Sequence, residues 1–330
     1  MVCDLSWDIA PGYDPLGVLA SNLDLARSGE LVRIVPGTLA TVSRLLDVAD
    51  PAPVWDTTYH YSGDDESTAQ YVYVLDALNF CFWGEPRWQV ECGEDWVNGY
   101  YALALALKRA IERGVPILHA GWMAQVTPTD LAGVLGGRGE IPLLAERAHS
   151  LNEAGAMLAR RFGGRFSAMV EWCKQSAPTL AIALSAFLTS YDDVARLGQN
   201  VHRFYKRAQI CASDLSSALA GRPAGELTGL ELLTAFADYK LPQVLRAFGV
   251  LEYQPALAAK VDARVELPAG SVDEVAIRAA TVWAVEHLRQ ALIQRGSVLS
   301  AREIDWKLWL LGQKPLPNLQ PYHLTRTIYY

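Results

Sequence analysis

The sequence predicts a mainly α-helical protein with at most a few short strands. We expect a single large domain over residues 1–330, with two lobes as the alternative. Apolar residues recur at helical spacing through most of the chain. Capping signals precede several of these segments, and no fixed-period repeat or low-complexity linker interrupts them. Hydrophobic residues form 51% and charged residues 20% of the 330 residues, which is typical of a globular protein and not of a disordered one.

In the N-terminal half, the predicted helices are apolar stripes bounded by turn residues. Pro36 and Gly37 separate the first two, and the proline-rich stretch 51–53 links them to the third, whose predicted N-cap is Ser67. Gly114 follows the end of the fourth. These patterns predict helices over residues 14–27, 38–46, 67–78, 96–111 and 142–160, and one more that starts at a capping box at 127–130.

In the C-terminal half, three helices have specific start or stop signals. Pro242 suits the first turn of one helix, and Gly249 follows it where a left-handed residue is expected. Capping boxes at 271–274 and 300–303 start two others. The helices predicted here cover residues 166–173, 178–188, 204–219, 241–248, 271–294 and 300–312. Short strands are predicted over 31–35 and, from its alternating pattern, over 261–267.

Composition and charge exclude several kinds of protein. A formal net charge of −7 argues against a protein that follows a polyanionic backbone, while a local basic pocket for one phosphate is compatible with it. The N-terminus has no signal-peptide pattern, and the longest apolar run, 180–188, is too short to span a bilayer. We therefore expect a soluble cytoplasmic protein that does not associate with membranes.

The cysteines and the common catalytic motifs give further negative predictions. The five cysteines lack a CxxC pair or a histidine cluster, so we expect reduced thiols and no metal site. They are Cys3, Cys81, Cys92, Cys173 and Cys211. The chain contains no GxGxxG, GxxxxGK[ST], GxSxG or HExxH motif. Kinase, dinucleotide-binding, serine hydrolase and metalloprotease functions therefore have no support.

One carboxylate, Asp238, interrupts an apolar approach directly before the helix predicted at 241–248. It has two interpretations. Asp238 is either a helix cap on a solvated turn or a buried catalytic carboxylate held by hydrophobic walls. The walls would be formed by Leu233, Phe236 and Leu241.

A second group of residues combines polar and aromatic side chains. Asp76 and Asn79 interrupt a dense aromatic run that contains Phe80, Phe82 and Trp83. The run is either core packing or a flat slot in which a planar heterocycle stacks on one ring. In the second case Asp76 or Asn79 would bind the edge of the heterocycle.

Two further groups are basic. Lys206 and Arg207 lie near the start of the helix predicted at 204–219. They either form a solvated face or line a cleft. In the cleft, Lys206 could pair with Asp238 or with substrate oxygens. Chain ends usually fray, but the aromatic and basic composition of residues 321–330 predicts a docked tail. A small anion site could form there from Tyr322, His323, Thr325 and Arg326.

These groups together resemble the queuosine salvage protein family, whose members are queuosine 5′-phosphate N-glycosidases. The resemblance rests on the long and idiosyncratic motifs at residues 74–83, 204–210, 236–243 and 321–330. It extends over residues 15–330 and is weakest in the first fifty residues and at 120–140.

The resemblance implies an all-helical fold similar to that of the helix-hairpin-helix DNA glycosylases. It also implies hydrolysis of queuosine 5′-monophosphate to the base queuine and ribose 5-phosphate, with no metal or organic cofactor. Asp238 corresponds to the catalytic aspartate of the family motif, and Lys206 corresponds to its partner.

The implied reaction passes through an oxocarbenium-like ribosyl transition state. Asp238 could stabilise this charge, orient a water, or attack C1′ covalently, and Lys206 would keep it ionised. Queuine is a 7-deazapurine without the N7 that purine glycosidases protonate, so the leaving base needs hydrogen bonds elsewhere. The candidate substrate-binding residues are His60, Asp76, Asn79, Phe80, Trp83, Phe236, Tyr239, Tyr322, His323, Thr325, Arg326, Tyr329 and Tyr330.

Two alternatives belong to other functional classes. A DNA or RNA base glycosylase shares the fold type and the single aspartate, but the acidic net charge opposes direct nucleic-acid binding. A non-catalytic helical module could bind a nucleotide or a partner helix, but it would not need a buried carboxylate facing an aromatic slot. We therefore expect a small-molecule substrate as the partner and leave the oligomeric state open.

Overall fold

The computed structural model describes residues 5–47, 55–316 and 319–330. In these ranges it contains 14 α-helices and six short strands, which confirms the prediction of a mainly α fold. The proline-rich stretch 51–53 and Cys3 lie outside the described residues. None of the described helices is both long and apolar enough to cross a membrane.

The helices occupy most of the chain. They are α1 (Val18–Ser28), α2 (Pro36–Asp47), α3 (Asp65–Ala77), α4 (Gly99–Glu112), α5 (Ala120–Met123), α6 (Pro128–Leu135), α7 (Leu144–Arg161), α8 (Phe166–Trp172), α9 (Ala177–Phe187), α10 (Lys206–Ala218), α11 (Lys240–Ala247), α12 (Pro255–Asp262), α13 (Val272–Ile293) and α14 (Ala301–Gly312).

The strands form three separate antiparallel pairs. They are β1 (Val32–Ile34), β2 (Gln89–Cys92), β3 (Asp95–Asn98), β4 (Val194–Leu197), β5 (Asn200–Arg203) and β6 (Leu251–Tyr253). β1 pairs with β6, β2 with β3, and β4 with β5.

The described chain divides into two compact units. The first consists of residues 5–47, 193–209, 229–316 and 319–326, and the second consists of residues 55–192, 210–228 and 327–330. The arrangement as one large domain stays a prediction.

The first unit is built around α13. This helix of 22 residues is buried on nearly all sides, because α1, α2, α11, α14 and β1 all pack against it. Its Trp283 is fully buried, and the indole N–H donates to the carbonyl oxygen of Leu19 in α1 at 3.1 Å. Burial on nearly all sides places α13 at the centre of this unit, together with the polar side chains that it carries.

The second unit is built around α3. Residues 68–77 of this helix are all buried, and α4, α7 and α8 pack against it. Two of its tyrosines satisfy their hydroxyl groups on neighbouring helices. Tyr71 donates to the carbonyl of Ala104 at 3.0 Å, and Tyr73 donates to the carbonyl of Ala154 at 3.2 Å. Buried aromatic rings with satisfied hydroxyls therefore fix α3 in place.

Several helix starts follow the predictions, with differences in detail. The capping boxes of α6 and α14 are confirmed. Ser271 caps α13 by accepting the N–H of Glu274, but the Glu274 carboxylate accepts from Gly270 and does not return to Ser271. The prediction of Ser67 as the N-cap of α3 is wrong. Asp64 is the cap, and its side chain accepts the N–H of Ser67 at 2.7 Å.

The hairpins were not predicted, and one of them shortens a predicted helix. The helix expected from residue 96 begins only at Gly99, because Trp96 lies in β3. The turns of the β2–β3 and β4–β5 hairpins contain Gly93 and Gly198, both with positive φ. Glycine adopts this conformation at little cost, so each chain reversal takes only two residues.

The strand predicted at 31–35 is confirmed as β1, and the one predicted at 261–267 is wrong. α12 extends through Asp262, because Pro255 and the side chain of Gln254 start a helix that continues into the alternating segment. Arg264, with a φ of 57°, ends it. Only a single bridge, between Glu266 and Leu324, resembles a strand pairing there.

Candidate active site

Asp238 lies at the start of α11, and one of its oxygens is fixed by that helix. Oδ1 accepts the backbone N–H of Lys240 at 2.7 Å and that of Leu241 at 2.9 Å. Oδ2 makes no hydrogen bond with any of the described residues. The side chain is half-buried and not fully buried as expected. Asp238 therefore caps the helix and still has one carboxylate oxygen free to act on a ligand.

The two residues before Asp238 are held by side chains from other helices. The N–H of Phe236 donates to Oδ2 of Asp305, on α14, at 2.7 Å. The carbonyl oxygen of Ala237 accepts from Nε of Arg278, on α13, at 3.0 Å. Both backbone groups are buried, so these bonds satisfy them and fix the position of Asp238.

Arg278 also makes a buried ion pair. Its Nη1 and Nη2 donate to the two oxygens of Asp193 at 2.8 and 2.6 Å, and both side chains are fully enclosed. Glu274, one turn earlier on α13, lies 3.5 Å from Nη1, and the guanidinium stacks 3.9 Å from the centroid of the Phe204 ring. The bidentate geometry and the second carboxylate compensate for the removal of Arg278 from water.

The same Asp193 positions Lys206. Its Oδ2 accepts the backbone N–H of Lys206 at 3.0 Å, which fixes the first residue of α10. Tyr205, just before it, has a φ of 50°, an uncommon conformation for a residue with a side chain. Lys206 and Arg207 are both buried, so the interpretation of this pair as a solvated face is wrong.

Asp305 is a second carboxyl group close to Asp238. It is 5% exposed. Burial raises the pKa of Asp305 well above its usual range, and the charge of Asp238 raises it further. The hydrogen bond from Phe236 and the charge of Lys206 act in the opposite direction. The first unit thus brings together Asp238, Lys206, Phe236 and Asp305, in an arrangement that favours the protonated form of Asp305.

The aromatic run after α3 lies in the second unit and is held by Arg147 of α7. This fully buried arginine donates to the carbonyl oxygens of Leu78 and Phe80, and to that of Cys81 at 2.9 Å. Cys81 has a φ of 43°, and its N–H donates to the carbonyl oxygen of Tyr330 at 2.9 Å. A backbone that would otherwise present several unsatisfied carbonyls is therefore fixed by one guanidinium.

The three rings of this run differ in their accessibility. Phe80 is fully buried, with the Arg147 guanidinium 4.4 Å from its centroid, and Trp83 is also buried. Phe82 is partly exposed, and the same guanidinium lies 5.0 Å from its centroid. Of these three rings, Phe82 presents the accessible face.

A chain of polar groups accompanies the aromatic run. Asn79 donates to Asp76 at 3.2 Å, and both are buried. Tyr100 lies 3.0 Å from Nε2 of His60, and its hydroxyl donates to Asp214 at 3.0 Å. Burial lowers the pKa of His60, and burial with the charges of Asp214 and Asp76 raises the pKa of Tyr100 well above its usual range. These five residues form a polar cluster that can donate to and accept from a heterocycle.

The C-terminal tail is ordered, as predicted, and its candidate residues fall into both units. In the first unit the rings of Tyr322 and Tyr239 lie 4.8 Å apart, and Thr325 is buried. Burial and the charge of Arg278 lower the pKa of His323 to about 3, so its imidazole is neutral at pH 7.

The other candidates of the tail have different surroundings. Arg326 lies half-exposed, 3.6 Å from Glu266. Tyr329 and Tyr330 belong to the second unit, where Tyr330 is buried. A cation for an anionic ligand is therefore present in the tail, but a carboxylate competes for it.

Several residues of these clusters were not predicted. Arg278 and Asp193 are 85 positions apart, and no local pattern connects them. Asp305 gave a weak signal, as an acidic residue among the apolar positions of an amphipathic helix. No sequence signal marked Arg147, Tyr100 or Asp214, because charged and aromatic residues are common on helices of any function. The described residues contain no group of three or more His, Cys, Asp or Glu side chains able to hold a metal ion.

Comparison with known proteins gives one consistent family. The family model described as "Queuosine salvage protein" matches residues 59–330. A protein from Sphaerobacter thermophilus, named queuosine 5′-phosphate N-glycosylase/hydrolase, is 46% identical over 321 residues, which cover 97% of this chain and 99% of the relative. A relative with the same name from Bos taurus is 36% identical over 81% of this chain and 83% of its own length. Another, from Dictyostelium discoideum, is 34% identical over 84% of this chain and 86% of its own length.

We predict that Arg278→Met lowers the free energy of unfolding by about 3–5 kcal/mol, because it leaves Asp193 buried without its ion-pair partner. Replacing both residues, as Arg278→Met with Asp193→Leu, should restore part of that loss. Urea denaturation measures both values. Arg33→Met is the matched control, since it breaks an exposed pair with Glu252 in the same unit and should cost less than about 1 kcal/mol. Equal losses for Arg278→Met and Arg33→Met would contradict the prediction.

Proposed function

Since the chain belongs to the queuosine salvage protein family, we propose that it hydrolyses the N-glycosidic bond of queuosine 5′-phosphate and releases queuine and ribose 5-phosphate. The observation that carries this proposal is the state of Asp238. Two backbone amides hold one of its oxygens, and the other has no hydrogen-bond partner among the described residues. A carboxylate held in this way can stabilise a cationic ribosyl transition state without reorganising.

Lys206 supports Asp238 through its charge. It is buried, and it lies close enough to Asp305 to affect the pKa of that carboxyl, as Asp238 also does. A fixed cation in this cluster favours the ionised form of a carboxylate. We assign Lys206 the role of the fixed cation in this group of carboxyls.

The second unit contains its own group of candidate ligand-binding residues. Phe82 offers a ring for stacking, and Asp76, Asn79 and His60 offer donors and acceptors for the edge of the heterocycle. Phe80 and Trp83 support this surface from within the core. Tyr100 and Asp214 extend the polar cluster beyond the residues predicted from the sequence. The described cysteines form no disulfide bond, which is compatible with a cytoplasmic location; they are Cys81, Cys92, Cys173 and Cys211.

The proposed function predicts that the purified protein releases queuine from queuosine 5′-phosphate, as detected by mass spectrometry. Asp238→Asn should lower kcat by about 10²–10³, because it removes the charge that stabilises the transition state. It should melt close to wild type, since the amide oxygen can still accept the N–H groups of Lys240 and Leu241. If a normally folded variant keeps more than a tenth of the turnover, Asp238 is only a helix cap. If the wild-type protein releases no queuine, the proposed function is wrong.

Stacking on Phe82 predicts that Phe82→Ala weakens queuine binding by roughly 1–3 kcal/mol. Isothermal titration calorimetry with queuine measures this effect. Phe187→Ala is the matched control, because Phe187 is also a partly exposed ring beside an arginine, Arg161. Phe80→Ala should mainly lower the melting temperature, since that ring is buried. If folded Phe82→Ala binds queuine as tightly as the unmodified protein does, the aromatic run is core packing and not a binding surface.

We assign the 5′-phosphate to the tail, with Arg326 as its cation and nearby hydroxyls as donors. Arg326→Ala should then lower kcat/KM about tenfold or more for queuosine 5′-phosphate and little for queuosine, because one charge-assisted hydrogen bond is lost. Glu266→Gln should have the opposite effect on the phosphorylated substrate alone, since it removes the carboxylate that competes for Arg326. Steady-state kinetics on both substrates tests both variants. Equal losses on the two substrates would move the phosphate site to Lys206 or Arg207.

A further inference from the structure

The departure of the base is the part of the proposed reaction that the residues assigned so far do not perform. Breaking the bond between C1′ and the base nitrogen leaves the bonding electron pair on the base. A 7-deazapurine has no N7 that could take up a proton first, so the departing base is an anion unless an acid protonates it elsewhere. General acid catalysis of this kind contributes about 10²–10⁴ in rate. The active site therefore needs a proton donor.

We propose that Asp305 is this donor, and that the reaction uses two carboxyl groups with different roles: Asp238 stabilises the ribosyl cation and Asp305 is the acid. The proposal rests on the proposed function, since it assumes that an N-glycosidic bond is cleaved beside Asp238. Asp305 is on α14, outside the motifs that indicated the family, and it was not among the predicted site residues.

The geometry around Asp305 suits a proton donor. Oδ2 accepts the N–H of Phe236 at 2.7 Å, so this oxygen is occupied as an acceptor. The acidic proton then belongs on Oδ1, which makes no hydrogen bond with any of the described residues and is available to a ligand. The bond to Phe236 also ties Asp305 to the backbone segment that carries Asp238, two positions later.

The charges around Asp305 favour its protonated form. The charged groups that act on it from the neighbouring segments are Asp238, before α11, and Lys206, at the start of α10. Burial and the charge of Asp238 outweigh the hydrogen bond from Phe236 and the charge of Lys206, so the pKa of Asp305 lies well above that of an ordinary carboxyl. In many enzymes the general acid and its partner carboxylate or base are two titratable groups whose surroundings shift their pKa values in opposite directions.

The proposed step is balanced in atoms and protons. The bond between C1′ and the base nitrogen breaks, its electron pair stays on the base, and the proton on Oδ1 of Asp305 moves to a ring nitrogen of the base. Asp238 stabilises the ribosyl cation meanwhile. A water then adds its oxygen to C1′ and releases a proton, which returns Asp305 to its acid form. The products are neutral queuine and ribose 5-phosphate, and no other reactant is required.

The experiment compares two leaving groups. Queuosine 5′-phosphate needs the acid, whereas 4-nitrophenyl β-D-ribofuranoside 5-phosphate releases a stable phenolate and does not. Asp305→Asn should lower kcat/KM by about 10²–10⁴ on the nucleotide and by no more than about threefold on the aryl substrate. The asparagine keeps an oxygen that can accept the N–H of Phe236. Asp238→Asn should lose activity on both substrates, and Asp262→Asn, a surface carboxylate paired with Arg246, should lose it on neither.

The pH profile of the unmodified protein provides a second measurement that does not depend on whether the variant folds. A required acid with a raised pKa gives activity that is present below that pKa and lost as the pH rises through it. We expect this alkaline loss of kcat/KM on queuosine 5′-phosphate and not on the aryl substrate.

The outcomes separate this proposal from the proposed function. Equal losses on both substrates, with the same alkaline limb for each, would make Asp305 a residue that only positions the Phe236 segment and would overturn the proposal. Full activity of Asp305→Asn on the nucleotide would overturn it as well. Failure of the wild-type protein to release queuine would overturn the proposed function together with this proposal.

Discussion

The buried ion pair between Arg278 and Asp193 is the interaction on which the arrangement of the first unit depends. Arg278 donates to Asp193 with two nitrogens and to the carbonyl of Ala237 with the third. Asp193 in turn accepts the N–H of Lys206. One pair of side chains thus fixes the residue before Asp238 and the first residue of α10. The position of the carboxylate is therefore set by the central helix of the unit and not by its own loop alone.

A buried ion pair is a costly way to hold a loop, and hydrophobic residues often stabilise a core better. Its advantage is directional. A guanidinium with five N–H donors can bind a carboxylate and a backbone carbonyl at the same time, in one plane, and so relates three chain segments to each other. A leucine or methionine at position 278 would fill the space without specifying where the carbonyl of Ala237 lies. We interpret the pair as a positioning device at the expense of some stability.

Local patterns predicted much of the helical fold, because apolar periodicity and capping are properties of neighbouring residues. The start of α6 and the stop of α11 at Gly249 follow directly from such signals. The hairpins were missed because short, half-exposed strands carry little periodicity. The strand expected at 261–267 was wrong because α12 extends through Asp262, and the residues after it form a turn and a loop with a single bridge.

The residues of the candidate site could be predicted from the sequence only where they belong to a recognisable motif. Asp238 and Lys206 lie in long motifs, whereas Asp305, Arg278 and Tyr100 owe their importance to partners far away in the sequence. The environment that raises the pKa of Asp305 is created by folding, since it consists of burial and of the charge of a distant residue. No pattern around position 305 alone contains that information.

Arg147 has a consequence for the thermodynamics of ligand binding. Because it holds the carbonyls of Leu78, Phe80 and Cys81, the backbone of the aromatic loop is already ordered without a ligand. A ring that stacked on Phe82 would then cost the loop little conformational entropy, and more of the interaction free energy would be left to orient that ring. Arg147 can in this way contribute to the affinity for a ring on Phe82 without contacting that ring.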